Sequence, residues 1–355
     1  MQPAAKRQNL TIVQGLRGIA ASWVVLFHAN EGGHIPILRR ELPDTLGNLL
    51  FDAGHYGVAI FFALSGFVIS YGIDRSKANV TFFYNFIIRR SIRLDPPYWA
   101  SIVFCLVLLI FSNIIKHDHV ALPSIGSIVS HLFYLQVIMR QPEINTVYWT
   151  LTYEVQFYLF LVSIITIRYY FQLHYANSTY KLLDYLLFAF ALLSAMGYFE
   201  HSHSGLFFPL WASFYVGTLA QLAITSLRAK ISFLMLVVVM ISRDHFAAVS
   251  AFTAIFLLLC MLLGVAAKGM NWRWLQFLGG ISYSLYLTHN PVTGAVGFAV
   301  NMIGIEGLTG DLIKLAAIIC CCIIFAYMFW FAIERTSHNL AKTFNQNLST
   351  RKIQI

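Results

Sequence analysis

Residues 247–267 read AAVSAFTAIFLLLCMLLGVAA, a run of 21 residues without a charged side chain. At 1.5 Å per residue a helix of this length reaches about 30 Å, the thickness of the hydrocarbon layer of a bilayer. Comparable apolar runs recur along the chain, and we place them at 10–29, 55–73, 96–115, 147–167, 182–199, 207–227, 231–243, 247–267, 276–299 and 312–334. The sequence therefore predicts an all-α fold, a polytopic transmembrane helical bundle of about ten spans.

The composition points the same way. Of the 355 residues, 58% are apolar and 11% are charged, and the mean hydropathy is +0.69. Soluble globular proteins carry about 25% charged residues, so this composition excludes a disordered chain, a coiled coil and an ordinary cytosolic enzyme. The net charge of +9 comes from short basic clusters between the apolar runs, and we expect no nucleic-acid partner. All five cysteines fall inside apolar runs, which favours packing over a metal site, and we predict none.

The basic residues also predict the orientation of the chain. With the N-terminus inside, 17 of the 24 Lys and Arg residues fall in inner segments and six in outer ones. Because cytoplasmic segments are enriched in Lys and Arg, both termini are predicted to be cytoplasmic. Arg17 interrupts the run that follows Lys6 and Arg7, which argues against a cleaved signal peptide. We expect one membrane domain over residues 1–345 and a short cytoplasmic tail over 346–355.

The first apolar run carries two residues that a bilayer should not tolerate, Arg17 and His28. An ionisable side chain costs at least about 2.5 kcal/mol at the bilayer centre and is therefore a functional candidate. The two residues are eleven positions apart, which places them on one helix face, roughly 16 Å apart along the axis. A guanidinium suits a phosphate, and a neutral imidazole suits a general base. An interfacial arginine and an unrelated boundary histidine would explain the pair equally well.

Two other places carry charge near or within an apolar run. Glu154 lies about two turns inside the fourth run, with aromatic neighbours that would normally belong to the membrane interface. The third run is preceded by a basic cluster, Arg89, Arg90 and Arg93. This cluster satisfies the topology, but it would equally form an anion site at the mouth of a span. Pro96 and Pro97 follow and are expected at a helix start, where a missing amide costs little.

The second and ninth runs are distinguished by small and polar residues. Small side chains around Ser65 and Gly66 indicate close helix packing or a broken helix that lines a cavity. The ninth run is the most polar of all, with Ser282, Tyr283, Ser284, Tyr286, Thr288 and His289, and Pro291 interrupts it. A segment of this kind should face a wet cavity rather than lipid.

Five sequence blocks follow one another in register across nearly the whole chain. They are R-x10-H (Arg17, His28), G-V-x-x-F-F-x-L-S-G-F over 57–67, R-x-x-P (Arg93, Pro96), W-[ST]-L-x-x-E-x-x-F-Y over 149–158, and S-Y-x-L-Y-L-x-H-x-P over 282–291. In this order they resemble the acyltransferase-3 family of integral membrane acyltransferases. Ala59 stands where many members of that family have an acidic residue, so no carboxylate role is expected there.

The resemblance implies a reaction in which an acyl group, usually acetyl, moves from cytoplasmic acyl-CoA to a hydroxyl group. The acceptor would be a carbohydrate or a lipid-linked glycan that is exported or assembled at the membrane. Acyl-CoA would be a donor substrate rather than a permanently bound cofactor. The chain is similar to the stand-alone type of polysaccharide O-acetyltransferase, and a bacterial inner or plasma membrane is the implied location.

On this interpretation the site has three parts. His28 is the general base for the acceptor hydroxyl, and Glu154 fixes the tautomer of an imidazole or stabilises its charged form. A short-lived acyl-imidazole is the competing route. Acyl-CoA is held by four arginines, Arg17, Arg89, Arg90 and Arg93. The acceptor pocket is formed by Ser65, Trp149, Tyr158, Ser282, Tyr283 and His289.

Three other functions are compatible with parts of the sequence. A secondary transporter would suit ten spans and a polar ninth helix, but paired interrupted helices in repeated halves are not found. A membrane-bound O-acyltransferase of another family would also use an intramembrane histidine, although the R-x10-H block places the histidine here near the N-terminus. A structural component of polysaccharide export would leave Arg17, His28 and Glu154 without a purpose.

Overall fold

The computed structural model describes residues 10–116, 122–174, 179–200 and 205–351, and these residues form helices without any strand. The α-helices are α1 Thr11–Glu31, α2 Pro36–Glu41, α3 Asp44–Leu50, α4 Gly57–Gly72, α5 Val80–Lys116, α6 Ile125–Leu132, α7 Trp149–His174, α8 Thr179–Ala195, α9 Trp211–Ala223, α10 Leu227–Arg243, α11 His245–Leu262, α12 Arg273–Gly280, α13 Ser282–Asn301, α14 Gly307–Phe329 and α15 Arg335–Arg351. Short 3-10 helices cover Asp52–Tyr56, Arg75–Lys77 and Phe208–Leu210, and a π-helical turn, Trp330–Glu334, joins α14 to α15.

Each of the ten predicted runs contains a helix. Six helical stretches are long and apolar enough to cross a membrane, judged by length and composition: Thr11–Glu31, Asp44–Gly72, Val80–Ile115, Trp149–His174, His245–Leu262 and Gly307–Phe344. The chain is therefore an all-α, multi-pass membrane protein. The other four runs contain α8, α9, α10 and α13, which are shorter or more polar. The count of ten spans and the orientation of the termini stay predictions.

The third run differs from the prediction at its start. Pro96 and Pro97 lie inside α5, which already begins at Val80, and not at a helix start. Each proline removes one amide donor from the helix interior. Side-chain hydrogen bonds stabilise the turn before them: the Asp95 carboxylate accepts hydrogen bonds from the hydroxyls of Ser91 and Tyr134. Hydropathy alone missed the basic first half of α5, since polar residues ended the apolar run.

Helix α9 occupies the centre of one half of the bundle, packed against α4, α8, α10 and α11. Its backbone touches that of α4 through two glycines. A Cβ atom added to Gly66 would lie 1.8 Å from the carbonyl oxygen of Phe214, and one added to Gly217 would lie 1.9 Å from that of Ala63. No side chain larger than hydrogen fits either position. The small residues of the second run therefore serve close helix packing.

The other half of the bundle is built around α1 and α13, which pack against each other. Helix α1 also packs on α4 and α12, and α13 packs on α5 and α14. Helix α15 packs along α5. The predicted cytoplasmic tail over 346–355 begins within this helix. Residues 352–355 of that tail, and Lys6 and Arg7 at the other end, lie outside the described residues. This arrangement brings α1, α5, α13 and α15 together although they are far apart in the sequence.

Candidate active site

A cavity lies between α1, α4, α5, α7 and α13. Its charged lining residues are Arg17, Arg90, Arg93 and Glu154. Hydroxyl-bearing side chains complete the polar part of the wall: Ser65, Tyr134, Thr150, Tyr158, Ser282, Tyr283 and Tyr286. Apolar residues of α4, among them Val58, Phe61 and Leu64, line the rest. The cavity therefore combines an apolar wall with a concentrated set of polar groups, the composition typical of a ligand site.

The guanidinium groups in this cavity have no ionic partner of their own. Arg17, Arg90 and Arg93 make no hydrogen bond and no ion pair within 4 Å with another residue in the described part of the chain. The charges of Glu334 and Glu154 act favourably on Arg17, but that of Arg93 opposes them. The three side chains are half-buried, and because an unpaired charge with reduced access to water is costly, the arrangement is that of a site for an anionic ligand.

A second cavity adjoins the first and shares Val68, Arg90 and Arg93 with it. It adds Arg89 from α5 and two basic residues from α15, His338 and Lys342. The sequence analysis missed His338 and Lys342. Their spacing of four residues on one helix was the available signal, because it places both side chains on the same face. Basic side chains therefore line both neighbouring cavities, from α15 to the centre of the bundle.

His28 lies in the last turn of α1, whereas Arg17 lies in the first half of that helix. The His28 side chain is 11% exposed. Its Nδ1 atom is 2.8 Å from Oε2 of Glu31, one turn further along the same helix. An ionised carboxylate can only accept a hydrogen bond, so Nδ1 donates its proton and the lone pair is left on Nε2. This is the arrangement that a general base requires, with a carboxylate that orients the ring and stabilises its charged form. The sequence analysis missed Glu31, although its position three residues after His28 was visible.

His289 of α13 stands beside His28, with ring centroids 5.0 Å apart. Tyr286 connects this pair to the cavity, since it lines the cavity and its ring centroid is 5.8 Å from that of His289. The Tyr286 hydroxyl is 2.7 Å from the hydroxyl of Thr150, and the Tyr286 ring is in contact with Phe61. Neither histidine lines the cavity in the described structure. Tyr286 therefore lines the cavity on one side and contacts His289 on the other.

The structure brings most of the predicted site residues together. Eight line the first cavity: Arg17, Ser65, Arg90, Arg93, Glu154, Tyr158, Ser282 and Tyr283. Arg89 lines the second cavity, and His28 and His289 adjoin each other. Trp149 packs against Phe62 instead, and its neighbour Thr150 lines the cavity in its place.

Glu154 was expected to orient an imidazole, and its position is different. The Glu154 carboxylate accepts a 2.6 Å hydrogen bond from the hydroxyl of Ser65, and its charge acts on Arg17 and Arg90. The carboxylate against His28 is that of Glu31. No group of three or more His, Cys, Asp or Glu side chains in the described ranges is arranged to hold a metal ion.

Comparison with known proteins identifies the family of the chain. The sequence matches the family described as an acyltransferase domain over residues 11–331. "Nodulation protein 10" of Rhizobium leguminosarum bv. viciae is 32% identical over 176 residues, and the alignment covers 43% of this chain and 43% of that protein. This chain therefore matches less than half of the length of that relative.

A second relative is similar over a longer range. "Putative acetyltransferase ORF330" of Acidianus two-tailed virus is 25% identical over 316 residues, covering 82% of this chain and 85% of the viral protein. No solved structure matches the chain significantly. Because the family match extends from the start of α1 into the π-helical turn after α14, the chain belongs to the acyltransferase-3 family of integral membrane acyltransferases and is an acyl-transferring enzyme.

Proposed function

We propose that this enzyme moves an acetyl group from cytoplasmic acetyl-CoA to a hydroxyl of a cell-surface or exported carbohydrate, with His28 as the general base. The hydroxyl oxygen attacks the thioester carbonyl carbon while its proton passes to Nε2 of His28. The carbon–sulfur bond then breaks, and the CoA thiolate takes that proton from His28 and leaves as the free thiol. The bacterial inner or plasma membrane is the proposed location. Acetyl is proposed because the viral relative is named as an acetyltransferase.

The donor side of the proposal rests on one observation, the three guanidinium groups that have no hydrogen bond or ion pair with another described residue. Arg17, Arg90 and Arg93 line the first cavity, and Arg89 and Lys342 add positive charge in the second, where His338 offers a further polar side chain. The phosphates of CoA carry several negative charges, and arginine is suited to bind them with paired donors. The negative charge of Glu154 lowers the net positive charge of the cavity, and its carboxylate accepts a hydrogen bond from the Ser65 hydroxyl.

The acceptor side rests on the Glu31–His28 pair. Glu31 leaves Nε2 of His28 free to accept a proton and favours the imidazolium that forms when it does. Because His28 does not line the cavity, the thioester reaches this nitrogen past Tyr286, whose side chain must move aside. Movement of the Tyr286 side chain would break its contacts with the Thr150 hydroxyl and the Val147 carbonyl, each a net cost of about 0.5–1.5 kcal/mol, which ligand binding can supply.

The test uses the purified protein in detergent with radiolabelled acetyl-CoA and heat-inactivated membranes of the native host cell as the source of acceptor. His28→Ala should lower transfer by about 10²–10⁴-fold, the contribution of a general base, and should leave acetyl-CoA binding unchanged. His174→Ala is the matched control, because His174 is exposed at the end of α7. Transfer by His28→Ala at a rate close to the wild type would refute the proposed role.

A further inference from the structure

His289 carries a polar atom that the fold leaves without a partner. The side chain is fully buried, and its Nδ1 atom donates to backbone carbonyls of its own helix, 2.8 Å from that of Tyr286 and 3.1 Å from that of Leu285. A ring that donates from Nδ1 in its neutral form carries a lone pair on Nε2. That Nε2 atom has no hydrogen-bond partner in the described structure. His289 Nε2 is therefore a buried hydrogen-bond acceptor without a donor among the described residues.

His28 does not supply that donor. Its Nδ1–H is committed to Glu31, so its own Nε2 is also an acceptor while the ring is neutral. Two acceptor nitrogens thus lie on rings whose centroids are 5.0 Å apart. An unsatisfied buried acceptor costs about 1–3 kcal/mol, and a core position of this kind would be filled more cheaply by an apolar side chain. A ligand that offers two adjacent donors would remove the cost at both nitrogens.

We infer that His289 is a second substrate-binding residue, whose Nε2 accepts a hydrogen bond from a hydroxyl adjacent to the one that attacks. This inference rests on the proposed function and specifies its acceptor, which is a vicinal diol such as that of a sugar ring. The two oxygens of such a diol lie about one hydrogen-bond length apart. One hydroxyl donates to His28 and loses its proton to it, and the other donates to His289 and keeps its proton. A simple alcohol would leave His289 unsatisfied.

The same tautomer excludes another role for His289. Stabilisation of a developing oxyanion needs a hydrogen-bond donor directed at the oxygen. The donating nitrogen of His289 is already directed at the Tyr286 carbonyl, and the free nitrogen can only accept. His289 therefore binds the acceptor and does not form an oxyanion hole.

Two substitutions separate this role from a purely structural one. His289→Asn keeps an amide donor near the position of Nδ1, so that the bond to the Tyr286 carbonyl can persist, but it removes the acceptor at Nε2. His289→Gln places an amide oxygen near the position of Nε2 and keeps the acceptor. We expect His289→Asn to lower kcat/KM for the acceptor by about tenfold, the value of one lost hydrogen bond, and His289→Gln to restore most of the loss. Thermal unfolding of both purified variants checks that they are folded, and KM for acetyl-CoA should not change.

The diol is tested with radiolabelled acetyl-CoA and two preparations of heat-inactivated membranes from the native host cell. One preparation is oxidised with periodate, which cleaves vicinal diols, and then reduced; the other is reduced only. Transfer to the second preparation alone supports the inference. Equal transfer to both would overturn the diol, and an equal loss in His289→Asn and His289→Gln, or none in either, would overturn the role of Nε2. A wild-type enzyme that labels neither preparation would instead contradict the proposed function itself.

Discussion

Replacement of Arg17 by alanine tests the anion site most directly. Arg17 lines the cavity and makes no hydrogen bond or close ion pair with another residue of the described chain, so its truncation leaves no broken ion pair inside the protein. A hydrogen bond that involves a charged group contributes about 1.5–3 kcal/mol. Loss of one such contact to a phosphate should raise the Kd for acetyl-CoA by about 10- to 150-fold.

The assay is equilibrium binding of radiolabelled acetyl-CoA to the protein in detergent. Arg17→Lys keeps the positive charge but loses the planar fork of donors, so its Kd should lie between those of the wild type and Arg17→Ala. Arg273→Ala is the matched control, because Arg273 is exposed on α12, away from the cavity lining. A Kd for Arg17→Ala within about twofold of the wild type would refute the assignment of this cavity to the donor, since one lost contact of even about 1 kcal/mol exceeds that change.

Two further predictions concern the base and the helix packing. Glu31→Gln removes the negative charge beside His28. Because the Glu31 side chain is 59% exposed, water weakens this interaction, and we expect kcat in the transfer assay to fall by only about three- to tenfold, with KM for acetyl-CoA unchanged. A fall in kcat as large as that of His28→Ala would contradict this expectation. Gly66→Ala inserts a methyl group against the carbonyl oxygen of Phe214 and should destabilise the fold by about 1–3 kcal/mol, measured as a lower unfolding temperature. Gly294→Ala lies inside α13, where an added Cβ meets no atom within 4 Å and alanine favours the helix, so it should not lower that temperature. Equal losses in both variants would contradict the close packing of α4 and α9.

Much of the fold and part of the site could be predicted without coordinates. Hydropathy located a helix in each of ten runs because burial in lipid depends on the local composition of a segment. The spacing of Arg17 and His28 placed both on one face of α1, since helical geometry is periodic. The hydropathy pattern failed at the first half of α5, where Arg89, Arg90 and Arg93 interrupt the apolar run although the helix continues through them.

The assignment of partners was less predictable. Glu154 was expected at an imidazole because it is a carboxylate inside an apolar run, yet it bonds to Ser65 of α4. Nothing in the sequence around Glu154 indicates which helix it faces, since that depends on how α4 and α7 are rotated against each other. Glu31, in contrast, follows His28 by three residues, and the helical period alone would have identified it.

Apolar runs and local spacing were sufficient to predict a multi-pass helical membrane protein with Arg17 and His28 on one helix face, because both properties arise within single segments. The positions of His289 beside His28, and of His338 and Lys342 beside the arginines of α5, depend on contacts between helices that are distant in the chain. Such contacts follow from the packing of whole helix surfaces, to which every residue along the interface contributes. They became visible only in the folded bundle.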